Sequence, residues 1–204
     1  MKPPVYFQAE DRPREGGSPE PSKDGPRALL GAQGTAHGLF EEQVARTPEA
    51  PALLGRGWCV SYRALNARAN QVARCLQARG VGSSTLVALC LEPGIGLVTG
   101  LLAILKAGGA YVPIDPYHLE ARAGAVLDDA RPSLVLTSAE LGESLRALDP
   151  SAAGLALFCP DDDAAVVNLQ ATGNLAVHDP NALVHVVYTS GSTGRPKGVL
   201  GTHR

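Results

Sequence analysis

Residues 86–115, LVALCLEPGIGLVTGLLAILKAGGAYVPID, contain the pattern that decides the predicted fold. The segment opens with LVALCL (86–91), a continuous apolar run of strand length, which is typical of a parallel strand covered on both faces. Residues 97–107 are apolar all round, as in a buried helix. AYVPI (110–114) is a second apolar run, and Pro113 indicates a sheet edge or a strand end there. Strand, helix and strand in this order predict a parallel βαβ unit.

The same alternation continues on both sides of this unit. Upstream, we predict a short helix in Thr35 to Val44 and a longer helix that begins after an N-cap at Ser61 and ends at Gly80. Downstream, the predicted elements are a helix from Pro116 to Ala130, a strand at 134–137, a helix near 138–147, and strands at 155–158 and 183–188. We find no hairpin signals between them. The sequence therefore predicts an α/β fold, a parallel sheet with helices on both faces.

Composition excludes several classes of protein. Of 204 residues, 45% are hydrophobic, which fits a globular chain. Eighteen Lys and Arg against 20 Asp and Glu leave a net charge of −2, and the chain has only nine Phe, Trp and Tyr residues. Neither a basic excess nor a base-stacking surface is present, so no nucleic-acid partner is expected.

We expect a cytoplasmic chain without a membrane partner. The start of the sequence lacks the apolar run of a signal peptide. The apolar stretch 94–114 is interrupted by Lys106, by five glycines and by Pro113, so it predicts two separate elements and not one membrane span. The four cysteines form no CxxC pair, which favours reduced, mostly buried thiols.

Two regions differ in composition. Residues 1–27 hold six prolines and ten charged residues with almost no apolar periodicity, which predicts a segment that cannot offset its ordering entropy. Regular patterning begins at residue 35. We therefore divide the chain into a disordered tail, residues 1–34, and a folded part, residues 35–204.

The strongest local motif is TSGSTGRPKG, Thr189 to Gly198, directly after the predicted strand 183–188. Glycines let the backbone approach a ligand closely, hydroxyls and free N–H groups donate hydrogen bonds, and Arg195 and Lys197 add positive charge. This combination suits the oxygens of a polyphosphate at the carboxyl end of a strand, although a flexible surface loop has a similar composition. It is not a Walker A loop, because Pro196 stands at the place of the second glycine.

A second glycine pattern supports a different hypothesis. Gly94, Gly96 and Gly100 follow the strand 86–91 as GxGxxxG, and Asp115 ends the next predicted strand, as in a dinucleotide fold. Close packing of a helix on a strand explains the same glycines. The five histidines show no metal-ligand spacing, so no metal site is predicted, and no GxSxG nucleophile elbow occurs.

Four segments together resemble one family, the amino-acid adenylation domains of nonribosomal peptide synthetases, which belong to the adenylate-forming enzymes. VVYTSGSTGRPKGVLGTHR (186–204) is similar to their phosphate-loop motif. LKAGGAYVPID (105–115) and SYRALNARANQVARCL (61–76) resemble their second and first core motifs, and LFEEQVARTPEAPAL (39–53) resembles the stretch that opens these domains. The segments occur in the family's order and at its spacing.

The resemblance implies a reaction and its participants. Such a domain joins an amino acid, or another carboxylic acid, to ATP with Mg²⁺, giving an acyl-adenylate and pyrophosphate. The acyl group then passes to a phosphopantetheine thiol on a peptidyl carrier domain, which works beside a condensation domain. By motif, the triphosphate is lined by Thr189, Ser190, Gly191, Ser192, Thr193, Gly194 and Lys197. Lys197 is the implied catalytic residue, either by ordering the loop or by contacting the transition state.

Departures from the family leave alternatives open. Glu92-Pro93-Gly94 and His118-Leu119 differ from the usual residues at scaffold positions. Family members are more than twice as long, so this sequence resembles the N-terminal portion of the domain only, and the amino acid activated cannot be read. The alternatives are an acyl-CoA synthetase-like ligase fragment, a non-catalytic nucleotide-binding remnant and, distantly, a dinucleotide oxidoreductase.

We expect weak affinity for ATP or pyrophosphate but no amino-acid-dependent ATP–pyrophosphate exchange from these 204 residues alone.

Removal of residues 1–27 should leave the melting temperature unchanged, because their composition predicts no packing on the folded part. Thermal unfolding of the shortened and full chains, followed by circular dichroism, measures this. A decrease of several degrees would show that the tail packs on the core.

Overall fold

The computed structural model describes residues 34–148, 155–176, 179–190 and 196–204. The predicted tail, apart from Gly34, lies outside the described residues, so the division into residues 1–34 and 35–204 stays a prediction. Five residues of the phosphate motif named above, Gly191, Ser192, Thr193, Gly194 and Arg195, also lie outside them.

Fourteen elements occur in the described part of the chain. The helices are α1 (Ala36–Arg46), α2 (Tyr62–Ala78), α3 (Ile95–Ala107), α4 (Leu119–Ala130), α5 (Ala139–Leu148) and α6 (Ala164–Val167). The strands are β1 (Pro51–Gly55), β2 (Trp58–Ser61), β3 (Leu86–Cys90), β4 (Ala110–Pro113), β5 (Leu134–Thr137), β6 (Ala156–Phe158), β7 (Leu183–Ser190) and β8 (Pro196–Thr202). For the ten elements that the sequence predicts, the bounds differ from these by a few residues at most, whereas β1, β2, α6 and β8 are not predicted.

The main sheet has six strands in the order β6-β5-β3-β4-β7-β8. Val87 of the central strand β3 is in register with Tyr111 of β4 on one side and with Leu134 of β5 on the other, and both pairings are parallel. Strands β4 and β7 are also parallel, with Tyr111 in register with His185. Strands β5 and β6 are parallel too, so the predicted parallel sheet is confirmed for all five predicted strands. Pro113 marks the end of an interior strand.

The expectation that the chain contains no hairpins is wrong at two places. Strands β1 and β2 pair antiparallel as a separate two-stranded sheet, and β7 pairs antiparallel with β8. The first hairpin turns at Arg56-Gly57, where Gly57 has a φ of 81°, a conformation that glycine adopts without strain. The second escapes sequence reasoning because its two strands flank a polar motif whose composition resembles that of a loop.

Helices cover both faces of the main sheet, as predicted. On one face, Val87 and Leu89 of β3 join a core cluster with residues of α2 and α3. On the other face, Ala88 and Cys90 join a second cluster with residues of α4 and α5. All four side chains are at most 3% exposed, because alternate strand residues point to opposite faces and both faces are covered.

Helix α2 follows its sequence signals closely. The Ser61 hydroxyl accepts a hydrogen bond from the backbone N–H of Ala64 at 3.2 Å, which is the predicted N-cap. Its apolar residues at helical spacing, Leu65, Ala69, Val72 and Leu76, are all buried. The helix ends just before Gly80, whose φ of 87° favours glycine.

The helix predicted to be buried, α3, carries one unexpected buried charge. The side chain of Lys106 is fully buried and forms an ion pair with Glu41 of α1, whose side chain is only 6% exposed. Burial lowers the pKa of the Lys106 ammonium, and the bond to Glu41 opposes that change. The pair ties α1 to the main core.

All four cysteines are free thiols, and Cys75 and Cys90 are buried. Burial raises the pKa of the Cys90 thiol to about 11, which keeps it protonated and unreactive. None of the helices in the described ranges is both long and apolar enough to cross a membrane.

Replacing Lys106 by Met should lower the free energy of unfolding by about 3–5 kcal/mol, because it leaves the Glu41 carboxylate buried without that cation. Urea unfolding measures the change. The control is Lys197→Met, which removes an exposed ammonium and should change stability by less than about 0.5 kcal/mol. The double variant Glu41→Gln with Lys106→Met should recover part of the loss. Equal stability of Lys106→Met and the wild type would contradict the buried pair.

Candidate active site

The described part of the phosphate motif belongs to a hairpin. The interpretation of Thr189 to Lys197 as a loop is wrong at both ends, since Thr189 and Ser190 end β7 and Lys197 lies in β8. Thr189 is in register with Lys197, and Ser190 is in register with Pro196. The motif lies at the carboxyl end of β7, a strand that is parallel to β4, as expected for a ligand site of such a sheet.

Thr189 and Lys197 form a cross-strand pair on one face of this hairpin. Residues directly opposite in an antiparallel pair point to the same face with their Cβ atoms about 5 Å apart. Both are exposed, and the Lys197 ammonium makes no ion pair with any described residue. A hydroxyl donor and a cation are therefore placed side by side, open to a ligand.

Tyr188 holds the opposite face of the hairpin against helix α4. The Tyr188 hydroxyl donates a hydrogen bond to Asp129 of α4, with 2.5 Å between the two oxygens. Its ring covers Gly198, where an added Cβ would lie 3.2 Å from Tyr188 Cζ and 2.9 Å from Val186 Cγ1. Position 198 thus favours glycine because neighbouring side chains approach its backbone closely, and not because a flexible loop is needed there.

Burial, the hydrogen bond and the negative charge of Asp129 together raise the pKa of Tyr188 to about 12. The phenol is a donor at every physiological pH. Sequence reasoning identifies neither partner. Tyr188 directly precedes the motif, which is the signal that could have found it, whereas Asp129 lies 59 positions away and carries no local signal.

One glycine of the second glycine pattern, Gly100, has a packing role. An added Cβ at Gly100 would lie 2.7 Å from Leu136 Cδ2 and 3.0 Å from Leu89 Cδ1, so this glycine lets α3 approach the sheet closely. Asp115 accepts a hydrogen bond from the Tyr117 N–H at 2.9 Å and shares one with His118 Nδ1 at 2.8 Å. These contacts form a local turn, and nothing about them supports the dinucleotide hypothesis.

A cleft in the described residues lies elsewhere. It has a volume of about 1140 Å³ and is bordered by the carboxyl ends of β3 and β5, by the start of α3 and by α2. The described residues of the phosphate motif, 189–190 and 196–198, do not line it. The motif is nevertheless the better candidate site, because ligand binding depends on the hydrogen-bond donors and charges that a site presents and not on the volume of a cavity.

Over the described residues, no group of three or more His, Cys, Asp or Glu side chains is arranged to hold a metal ion. The exposed Thr189 and Lys197 instead offer hydrogen-bond donors and positive charge, which suit an anion.

Comparison with known proteins agrees with this geometry. The family model described as AMP-binding enzyme matches residues 40–204. Tyrocidine synthase 3 of Brevibacillus parabrevis is 43% identical over 171 residues, which are 83% of this chain and 3% of that protein. Malpinin synthetase of Mortierella alpina is 41% identical, over 82% of this chain and 2% of its own length. The chain thus spans a small fraction of both relatives.

A solved structure gives the same result. The AMPPNP-bound form of FmoA3, a nonribosomal peptide synthetase, matches with a TM-score of 0.73 and 31% sequence identity, over 87% of this chain and 19% of that one.

The fold and the motif define an α/β domain with a polyphosphate-type motif at the carboxyl edge of its sheet. The chain belongs to the AMP-binding enzyme family. Its predicted resemblance to the adenylation domains of nonribosomal peptide synthetases is confirmed by the relatives and by the solved structure.

Replacing Gly198 by Ala should destabilise the chain by about 1–3 kcal/mol, because the new methyl group overlaps Val186 and the ring of Tyr188. Gly173→Ala is the matched control, since nothing lies within 4 Å of an added Cβ there, and it should be neutral. Both are measured by urea unfolding. If the two variants were equally stable, Tyr188 would not cover Gly198.

Proposed function

We propose that this chain binds the triphosphate of ATP and supplies the pyrophosphate-binding part of an amino-acid adenylation site for nonribosomal peptide synthesis. The observation that carries the proposal is the exposed pair of Thr189 and Lys197 at the carboxyl end of β7, inside the motif Thr189 to Gly198. Membership of the AMP-binding enzyme family supports it.

The chemistry explains why a hydroxyl and a cation belong there. In adenylation, a carboxylate oxygen of the amino acid attacks the α-phosphorus of ATP. The bond from that phosphorus to the oxygen shared with the β-phosphate breaks, and the electron pair leaves with pyrophosphate. Groups that hold the leaving pyrophosphate in line and disperse its growing negative charge lower the barrier.

The described residues fit this task. The Lys197 ammonium forms no ion pair with the described side chains, so no local carboxylate among them competes with phosphate oxygens for it. The Thr189 hydroxyl beside it donates to a phosphate oxygen. We propose on motif alone that Ser190, Gly191, Ser192, Thr193 and Gly194 complete the triphosphate site with backbone N–H and hydroxyl donors.

Lys197 is the proposed catalytic residue. Two roles are compatible with its place on β8: contact with the leaving pyrophosphate, or ordering of the adjoining segment around the triphosphate. Its position directly opposite Thr189 favours contact, because the same ligand oxygen then lies within reach of both side chains.

Mg²⁺ is the proposed cofactor and fits as a companion of the ligand. Mg²⁺ in nucleotide sites is held by phosphate oxygens, water and one or two carboxylates. The described residues form no carboxylate cluster, so on their side the ion would be held through the phosphates. When bound, it neutralises charge on the phosphates. The protein residues named above orient those phosphates.

The remaining participants are proposed from the family. The amino acid is the second substrate. A phosphopantetheine thiol on a peptidyl carrier domain would receive the acyl group, and a condensation domain would be its neighbour. The two relatives are named as a synthase and a synthetase, and one form of FmoA3 is described as bound to an aminoacyl-AMP, α-methyl-L-serine-AMP.

Mg·ATP should bind the purified chain, and pyrophosphate should displace it whereas AMP should not, because the described donors recognise the β- and γ-phosphates. Lys197→Met and Thr189→Val should each weaken binding, the first by about tenfold or more, since a hydrogen bond to a charged group contributes about 1.5–3 kcal/mol. Isothermal titration calorimetry measures both.

Arg56→Ala is the control, because Arg56 is an exposed cation in the turn of the first hairpin, far along the chain from the motif. It should bind Mg·ATP like the wild type. An equal loss in this variant would indicate nonspecific attraction of charge. If AMP displaced Mg·ATP and pyrophosphate did not, the binding site would not be the pair of Thr189 and Lys197.

A further inference from the structure

The motif end of the hairpin projects beyond the main sheet. Strand β4 is in register with β7 at Tyr111 and His185, so its last residue, Pro113, comes level with Val187. The following residues of β7, from Tyr188 to Ser190, extend past the end of β4. On the other side, β8 is the last strand in the described sheet order. A two-stranded ribbon of this kind is marginally stable by itself.

One side chain connects this ribbon to the body of the domain. Tyr188 lies in β7, its ring covers Gly198 of β8, and its hydroxyl donates to Asp129 of α4. The ring also packs against the core cluster that contains Val186. A single residue therefore contacts both strands and the helix beside them.

Asp129 lies at an unfavourable place for a carboxylate. It occupies the last turn of α4, next to Asp128, where the helix macrodipole disfavours negative charge, and that turn contains no basic residue. Its hydrogen bond to Tyr188 is the contact that compensates. Asp129 therefore stabilises its own helix poorly, and we expect its hydrogen bond to stabilise strand β7 instead.

We propose that Tyr188 and Asp129 form a brace that fixes the strand ends carrying Thr189 and Lys197, which makes Tyr188 and Asp129 positioning residues for the triphosphate. The role in ligand binding rests on the proposed function, whereas the brace itself does not. Tyr188 immediately precedes Thr189, and Gly198 immediately follows Lys197. Holding Tyr188 against Gly198 fixes the register and twist of Thr189 and Lys197, so less entropy is lost when the ligand orders them.

The brace has a spectroscopic signature. In the wild type, one phenol should titrate with a pKa of about 12 in an alkaline ultraviolet titration. Asp129→Ala should lower this pKa toward the ordinary tyrosine value of about 10, because the carboxylate that stabilises the protonated phenol is gone. Asp128→Ala, the matched control in the same helical turn, should leave it unchanged. Tyr188→Phe should remove this titration altogether.

Hydrogen exchange followed by mass spectrometry tests the mechanical role. Tyr188→Phe and Asp129→Ala should each accelerate hydrogen exchange by about tenfold in peptides that cover the paired residues 186–190 and 196–200. The reason is that losing a hydrogen bond worth about 1.4 kcal/mol makes local opening about tenfold more frequent. Asp128→Ala should exchange like the wild type. Unchanged exchange in the first two variants would overturn the brace, whether or not the chain binds ATP.

Calorimetry with Mg·ATP then tests positioning. At a temperature well below the melting transition of every variant, the same two variants should bind about three- to tenfold more weakly, and their double variant should be no weaker than either, because both remove one bond. Asp129→Asn keeps an acceptor oxygen and should restore part of the affinity. Faster exchange with unchanged affinity would overturn the positioning role. Absence of binding by the wild type itself would refute the proposed function, and the exchange result would still decide the brace.

Discussion

The burial of β3 on both faces is the constraint on which the rest of the structure depends. Its side chains from Val87 to Cys90 are at most 3% exposed, so each face needs a layer of helices. In this chain helices cover both faces because they form the crossover connections between parallel strands, and such crossovers bring all the carboxyl ends of those strands to one edge. The end of β7, with Thr189, lies at that edge for this reason.

The hairpin that carries the motif changes how the site is understood. A loop of glycine and hydroxyl residues would have to be ordered entirely by its ligand, at a considerable entropic cost. In the structure, Thr189 and Lys197 are instead held opposite each other by the pairing of β7 with β8, and Tyr188 ties that ribbon to α4. Part of the ordering is thus built into the fold.

The sequence is sufficient for features that local patterns encode. The parallel strands and the Ser61 cap are predictable because apolar runs and capping residues act over a few positions. The second hairpin is not, since its strand β8, at the edge of the sheet, lacks the apolar pattern of a buried strand. Contacts between Glu41 and Lys106, or between Asp129 and Tyr188, join residues about 60 positions apart, and only the tertiary fold brings them together.

Whether the pair of Thr189 and Lys197 receives a polyphosphate is decided by a crystal structure of the chain with Mg·AMPPNP. We expect β- or γ-phosphate oxygens about 3 Å from the Thr189 hydroxyl and the Lys197 ammonium. Phosphates bound in the cleft beside Gly96 and Gly100, with both side chains left free, would contradict this expectation.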